Sequence, residues 1–274
     1  MEEKSISVII PVYNSEETIK NTAKSVLKDK REDIELILVV DGATDNSLEI
    51  CNRIKQKDNR VKVVYQKNKG AFWARQNGID NANGRYLMFL DSDDEYLDGI
   101  FERMIELINK YSPDLIKYQY KYFEENETFI KKKDFKKMVY PMFIDGYMLN
   151  AVWNNCIKRE ILQGLKFSNK RIRYGEDLLL NLKIFSNIES AVFINDILYK
   201  YNTNINSITQ SSDRNRWIKN LHDAIEVYNS LFYYLKVWDM DTNENVKKVE
   251  ERVEKEVETI NNVIKNCESE LLTS

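Results

Sequence analysis

The sequence predicts an α/β fold: a mostly parallel central sheet flanked by helices, a small antiparallel section after it, and helices at the C-terminal end. Three observations predict it. Short β-branched runs alternate with helical stretches over residues 1–110. Those runs are apolar on both faces, as strands covered by helices on either side must be. Beyond residue 213 the apolar period is helical throughout.

Ile6-Ser7-Val8-Ile9-Ile10 reads as the first strand, stopped by Pro11. A helix follows, capped at Asn14 or Ser15, with Glu16 and Glu17 in its first turn and Ile19, Ala23, Val26 and Leu27 on one face. Ile34 to Val40 is the second strand, ended by Asp41-Gly42. Asp45 or Asn46 caps a helix carrying Leu48, Ile50, Cys51 and Ile54. Val61 to Tyr65 is a third strand, Gly70 to Asn81 a polar helix, Tyr86 to Leu90 a fourth strand and Leu97 to Ile108 an amphipathic helix. From Asp114 the chain alternates through Ile116, Tyr118, Tyr120 and Tyr122, turns at Glu124-Glu125-Asn126 and returns through Phe129 and Ile130, which predicts a hairpin. The helix from Asp213 to Trp238 carries a broad stripe from Trp217 to Leu235. The last, from Thr242 to Cys267, has a thin one: Val246, Val249, Val253, Val257, Ile260 and Ile264. A thin stripe fits a coiled-coil seam joining two copies, or a helix laid on its own domain.

Composition removes several function classes. A net charge of −3 gives no support to nucleic-acid binding. Three scattered cysteines, Cys51, Cys156 and Cys267, lack metal-ligand spacing and read as reduced thiols of a cytoplasmic protein. One histidine, His222, rules out a multi-histidine zinc site and leaves acid–base work to carboxylates; on its helix it reads as a packing or surface residue. The start MEEKSISVIIPVYN is not a signal peptide. No stretch approaches the ~20 apolar residues of a membrane helix. Five of the seven residues from Lys131 to Lys137 are lysine. They could form a solvated edge, or face an anionic acceptor or a lipid surface at the inner side of a membrane.

In parallel sheets flanked by helices, ligands bind outside the carboxyl ends of the strands. The polar residues gather there: Tyr13-Asn14 after strand one, Asp41-Gly42 after strand two, and Asp91-Ser92-Asp93-Asp94 after strand four. Three carboxylates in four positions repel one another unless something positive joins them. One of them could be a helix cap. Mg²⁺ or Mn²⁺ would use one or two, completing its shell with water and phosphate oxygens.

Four stretches in order, SVIIPVYNSEETI, IELILVVDGATDNS, GAFWARQNGI and NGRYLMFLDSDD, resemble the successive motifs of family 2 glycosyltransferases. VWNNCIKREIL, YGEDLLL and YKYNTNINSIT resemble the later half of bacterial members that build surface glycans, so the likeness runs over residues 5–210. It implies a GT-A, Rossmann-like fold and an inverting enzyme. The enzyme would move sugar from a nucleotide-sugar, a UDP-sugar, to a glycan, glycolipid or glycoprotein, with a divalent metal (Mn²⁺ or Mg²⁺). Residues 1–110 would be the nucleotide-sugar-binding half, 111–212 the acceptor-binding and catalytic-base half of the same domain, and 213–274 a helical extension, open to homodimerisation.

Residue by residue, the resemblance places Pro11, Val12 and Tyr13 around the nucleobase, Glu16 near ribose and base, and Asp41 on a base N–H. It places Arg75 toward the diphosphate or sugar, and Asp91, Ser92, Asp93 and Asp94 along the donor, with Asp93 and Asp91 as the metal's protein ligands. Glu176-Asp177 falls where the family keeps its catalytic base, usually the Asp; taken alone, the pair also reads as the acidic first turn of a helix. Trp153 and Tyr174 could be acceptor platforms or core residues. The chain departs from the family pattern at Val40, Ala43, Phe72, Trp73 and Gln76, which bears on the choice of nucleobase and sugar. A sugar-phosphate nucleotidyltransferase would need a Gly-rich loop after strand one, and Pro11-Val12-Tyr13-Asn14-Ser15 has no glycine. The alternative is a glycosyltransferase-like subunit without activity that binds a partner through its C-terminal helix, against which the presence of Asp91, Asp93 and Asp177 argues.

Overall fold

The computed structural model describes residues 5–119, 121–146, 151–165, 172, 174–202 and 214–273. Two compact units emerge. The first comprises Met1–Lys131, Val152–Arg171 and Asn187–Asn202, the second Lys132–Ala151, Ile172–Ser186 and Thr203–Ser274. Boundaries at 110 and 212, drawn from element type, are therefore not where compactness divides the chain. Strands from both sides of residue 110 share one sheet, and the C-terminal helices pack with segments before residue 187.

The first unit is built on an eight-stranded sheet. β1 (Ile6–Val12), β2 (Ile34–Asp41), β3 (Val61–Gln66) and β4 (Tyr86–Phe89) run parallel in the order β3-β2-β1-β4. β8 (Asn155–Lys158) continues the sheet antiparallel to β4, followed by β6 (Leu115–Lys117), β9 (Ser190–Ile194) and β7 (Glu127–Lys131). The even-numbered residues of β1, Ile6, Val8, Ile10 and Val12, share a core with α1 (Ile19–Leu27), α2 (Ser47–Lys57) and α4 (Ile100–Tyr111). Ile9 faces α3 (Ala71–Asn81) on the other side, so closely that a Cβ on Gly78 would sit 2.3 Å from its side chain. At the amino edge the buried Glu35 carboxylate accepts bonds from Ser7 Oγ (2.6 Å) and from the Asn83 and Gly84 amides (2.6 and 3.2 Å), tying β1, β2 and the entry to β4 together.

Several local expectations change. Pro11 does not stop β1, which runs on to Val12. In a parallel ladder alternate residues bond opposite neighbours. Ile9 bonds the β4 side through Leu90, so Pro11 points there too, beyond the end of β4, where its missing N–H costs no ladder bond. α1 begins at Ile19 rather than near Ser15, because residues 15–18 form a separate turn in which Ser15 O accepts from the Thr18 and Ile19 amides. α4 begins at Ile100 rather than Leu97, because Gly99 adopts a left-handed backbone (φ 83°). Glu95–Tyr96 is instead a short strand, β5, paired antiparallel with β10 (Tyr199–Lys200).

The predicted hairpin also fails. β9 lies between β6 and β7, parallel to the first and antiparallel to the second. A partner about sixty residues on displaces the local one, since β6 buried on both edges needs two neighbours. β7 is the sheet edge, and Lys131 ends it exposed; Lys132, Lys133, Lys136 and Lys137 that follow are exposed as well.

On β7, Glu127 accepts from three α4 groups: Arg103 (2.7 Å), Lys110 (2.6 Å) and the Tyr111 hydroxyl (2.5 Å). Burial alone would raise its carboxyl, but those donors outweigh it and hold the group down at about 2. A depressed carboxyl stabilises the fold above its unfolded value and loses that contribution as pH falls toward its folded one. Glu127→Gln is therefore expected to lower stability by about 1–3 kcal/mol at pH 7. The gap between the two proteins should close as pH drops from about 5 toward 2, read by denaturant titration. A gap independent of pH would contradict the assignment.

In the second unit, α9 (Arg214–Val237) and α10 (Asn243–Thr273) pack side by side. Trp217 and Ala224 of α9 meet Ile260 and Ile264 of α10, with Tyr174 against them. Trp238 stacks on Tyr140 (4.3 Å, 4°) and donates its Nε1–H to Ser186. Val249, Ile260 and Ile264 of the thin stripe are thus buried within the chain, while Val246, Val253 and Val257 are half-buried. α5 (Phe135–Met138), α6 (Tyr140–Ile144) and α8 (Glu176–Asn187) belong chiefly to this unit, and α7 (Arg159–Gly164) to the first. Among the described residues no helix is long and apolar enough to cross a membrane.

Candidate active site

The carboxyl edge of β1, β2 and β4 is laced together by the loops that leave it. After β1, Tyr13 is half-exposed and Asn14 takes a left-handed backbone (φ 47°), its side-chain oxygen accepting from the Thr44 amide. Asp45 accepts from the Glu16 amide (3.0 Å) and the Ser47 amide (3.0 Å), while Glu16 accepts from the Asn46 amide (2.9 Å) and its Nδ2 (2.7 Å). Glu16 therefore reaches across to the start of α2, and Asp45 rather than Asn46 supplies the side-chain cap there. Val12 is fully buried in the core, so of the three residues expected at the nucleobase only Pro11 and Tyr13 have exposed side-chain surface; even-numbered positions of β1 point at α1 and α2.

Asp41 is buried at the end of β2. Its carboxylate accepts from Gln66 Nε2 and from the Lys69 and Gly70 amides, each at 2.8 Å. It thereby fixes the loop that opens α3. Gln66 extends the link by accepting from Asn77 on that helix. α3 in turn carries the buried Arg75, whose Nη2 donates to Asp91 at 3.0 Å. The order of the motifs along the chain thus becomes a physical chain of support, from Asp41 through α3 to Asp91.

Asp91–Asp94 forms a β-turn, with the Asp94 amide donating to the Asp91 carbonyl at 3.2 Å. Its four side chains alternate in role. Ser92 is held from α1: its hydroxyl bonds Ser15 (2.7 Å) and its carbonyl accepts from Thr18 (2.8 Å) and Thr22 (2.9 Å). Asp94 is 1% exposed and does not cap α4, which starts six residues on. It accepts from the Tyr199 hydroxyl (2.5 Å) and the Asn202 amide (2.8 Å). Asp91 and Asp93, by contrast, are half-buried and face the edge.

Burial raises the Asp94 carboxyl to about 6; the bonds from Tyr199 and Asn202 oppose this, and the charges of Asp93 and Asp91 add to it. The turn places three carboxylates within four residues, an excess of negative charge. Among the described residues no group of three or more His, Cys, Asp or Glu gathers as a self-sufficient metal cage. Two oxygen-donor carboxylates beside a diphosphate are what Mg²⁺ or Mn²⁺ needs, since phosphate and water complete the shell. Asp93 and Asp91 fit such an ion, which would relieve that excess.

Trp153 is half-buried, stacks on the Tyr199 ring (4.1 Å, 25°) and takes the Tyr118 hydroxyl on its carbonyl. Tyr174 is half-buried, packs against Trp217 at the margin of the second unit's core and donates to Glu256 at 2.8 Å. Glu176 and Asp177 open α8 in that unit, both half-buried, with Asn181 Nδ2 donating to the Asp177 carbonyl at 2.9 Å. Tyr199 and Asn202 are the site-edge residues that motif reading did not single out. Their pairing with Asp94 spans more than a hundred residues and leaves no local signature beyond the aromatic-polar YKYN itself.

Residues 7–188 match the model for Glycosyl transferase family 2. The chain belongs to glycosyltransferase family 2. Glycosyltransferase GlyG of Streptococcus pneumoniae is 30% identical over 239 residues, covering 81% of this chain and 78% of that protein. GlyA of the same organism is 28% identical over 80% of this chain, but the match spans a third of GlyA's length (33%). Among solved structures, S. aureus TarS in complex with UDP-GlcNAc superposes with a TM-score of 0.65 at 19% identity, over 91% of this chain and 82% of that one. The mannosyltransferase PcManGT from Pyrobaculum calidifontis, in complex with GDP-Man and Mn²⁺, gives 0.64 at 12% identity, over 100% and 76%. These likenesses bear out the GT-A fold, and the family 2 assignment makes the chain a glycosyltransferase.

Proposed function

We propose that this family 2 chain transfers a sugar from a UDP-sugar to a hydroxyl of a glycan, glycolipid or glycoprotein acceptor, with inversion and with a divalent metal, in surface glycan assembly. The observation that carries the reading is the turn after β4, which presents Asp91 and Asp93 half-exposed with Arg75 on the first of them. Tyr13 offers its exposed ring to the nucleobase, and Glu16 lies beside it at the start of α2. Asp93 and Asp91 would hold the cation, which neutralises charge on the departing diphosphate when bound. Arg75 keeps Asp91 oriented and adds positive charge near the phosphates. Asp177 takes the proton from the acceptor hydroxyl as it attacks opposite the leaving group, so no protein nucleophile is needed. TarS with UDP-GlcNAc supports a uridine donor, and PcManGT with GDP-Man and Mn²⁺ supports the metal.

The test is nucleotide release from a panel of UDP- and GDP-sugars with Mn²⁺, with and without chelator. Release of UDP that chelator abolishes is expected. Preference for GDP-sugars would overturn the donor assignment, and chelator-resistant release would overturn the metal.

A further inference from the structure

The turn that presents Asp91 and Asp93 is gripped on its far side by residues more than a hundred positions along the chain. Tyr199 donates its hydroxyl to Asp94 at 2.5 Å and lies 3.5 Å from the Asp91 amide, at the limit of a hydrogen bond. Asn202 is used three ways: its amide donates to Asp94 (2.8 Å), and its Nδ2 donates to the Asp93 carbonyl (2.8 Å) and to Glu95 (3.3 Å). Lys200, between them, pairs with Glu95 at 3.1 Å, and Tyr199–Lys200 forms the β10 ladder with Glu95–Tyr96. The Tyr199 ring is 1% exposed, stacked on Trp153 and set edge-on to Tyr96 at 5.9 Å.

An isolated β-turn is held by one internal bond, and its corner residues wander. Here Ser92 anchors one side to α1, and Tyr199 with Asn202 anchors the other. Asp91 and Asp93, both half-buried, are the other two acids of the turn, with Arg75 bonded to Asp91.

We propose that Tyr199 and Asn202 form a clasp on Asp94 that positions the Asp91 and Asp93 carboxylates for the metal and diphosphate of the donor. Neither residue touches the donor in this assignment. They are positioning residues, acting by removing the turn's freedom before the ligand arrives. Because Tyr199 also stacks on Trp153, the same ring joins the acidic turn to the loop before β8. The inference rests on the proposed metal–nucleotide reading of the turn.

The test separates the two. Binding of UDP is measured by calorimetry with Mn²⁺ and with EDTA, on wild type, Tyr199→Phe, Asp94→Asn and the double variant. Phenylalanine keeps the ring between Trp153 and Tyr96 and deletes the hydroxyl alone. Tyr199→Phe is expected to unfold cooperatively, to bind UDP in EDTA within about twofold of wild type, and to lose about tenfold in affinity with Mn²⁺. The double variant should be no worse than the poorer single one, because both break one clasp. If Tyr199→Phe does not fold, Asn202→Ala takes its place, with the same Mn²⁺-selective loss expected. If wild type gains nothing from Mn²⁺, the metal–nucleotide reading falls. If wild type gains and the folded clasp variant gains equally, or loses equally in EDTA, the clasp assignment is overturned.

Discussion

Asp93→Ala is expected to lower the transfer rate by about a thousandfold or more and to abolish the increase in donor affinity that Mn²⁺ brings. A thousandfold corresponds to about 4 kcal/mol of transition-state stabilisation. That size matches charge stabilisation at a departing diphosphate by the proposed metal, for which Asp93 would be one of two protein ligands. Several bonds that hold the turn use atoms other than the Asp93 carboxylate. Asn202 bonds the Asp93 carbonyl, Ser92 is tied to α1, and Asp94 to Tyr199, so the clasp bonds survive alanine at position 93. Asp91→Ala should weaken donor binding too, and in addition leave the buried Arg75 without its carboxylate partner at this position, so its effect mixes ligand loss with local destabilisation. Full turnover by folded Asp93→Ala would sink the metal assignment.

The second large effect is expected at Asp177. Asp177→Asn should reduce kcat by about 10²–10⁴-fold, the range for loss of a positioned general base, while leaving the donor Kd within about twofold. Asparagine keeps the shape, and the Asn181 bond to residue 177 uses the backbone carbonyl, which the substitution leaves in place. Glu176→Gln is the paired control and should cost much less. If Glu176→Gln carries the loss and Asp177→Asn is active, the base is Glu176. If neither changes kcat, the base lies elsewhere. The two experiments also discriminate between themselves: Asp93 variants lose metal-dependent binding and transfer together, Asp177 variants transfer alone.

Much of this was legible before any fold was drawn. β1, β2 and β4 were readable because strands buried on both faces are apolar nearly throughout, and Ile34 to Val40 is buried at every position. β3, at the end of the sheet, is mostly half-buried and was readable from its β-branched run. Two strand ends were readable, from Asp41-Gly42 and Asp91, whereas β1 runs through Pro11 to Val12; the edge they share follows from the parallel order. Once the edge was placed, Asp91 and Asp93 were candidates by position as much as by motif.

The misreadings came where a local rule met a distant partner. Phe129 and Ile130 looked like the return of a hairpin, yet β7 pairs with β9, because β6 had β9 as its better neighbour. A cap was the plain alternative for one acid of the turn, yet Gly99 sets the start of α4, and Asp94 bonds Tyr199 instead. Val12 looked like part of a pocket, yet the two-residue period of β1 turns it into the core. Tyr174, open between platform and core, is half-buried and bonds Glu256, eighty-two residues away.

Periodicity, turn residues and charge spacing act over a few positions, so the sequence alone settled the α/β class, the parallel half of the sheet and the acidic turn at its edge. Which strand lies beside which, and which side chain closes on Asp94, depend on contacts between segments that are far apart in the chain. Their free energy appears when the core forms and the loops between them are closed. No window of residues contains that term, and so the clasp of Tyr199 and Asn202 on the turn became visible in three dimensions alone.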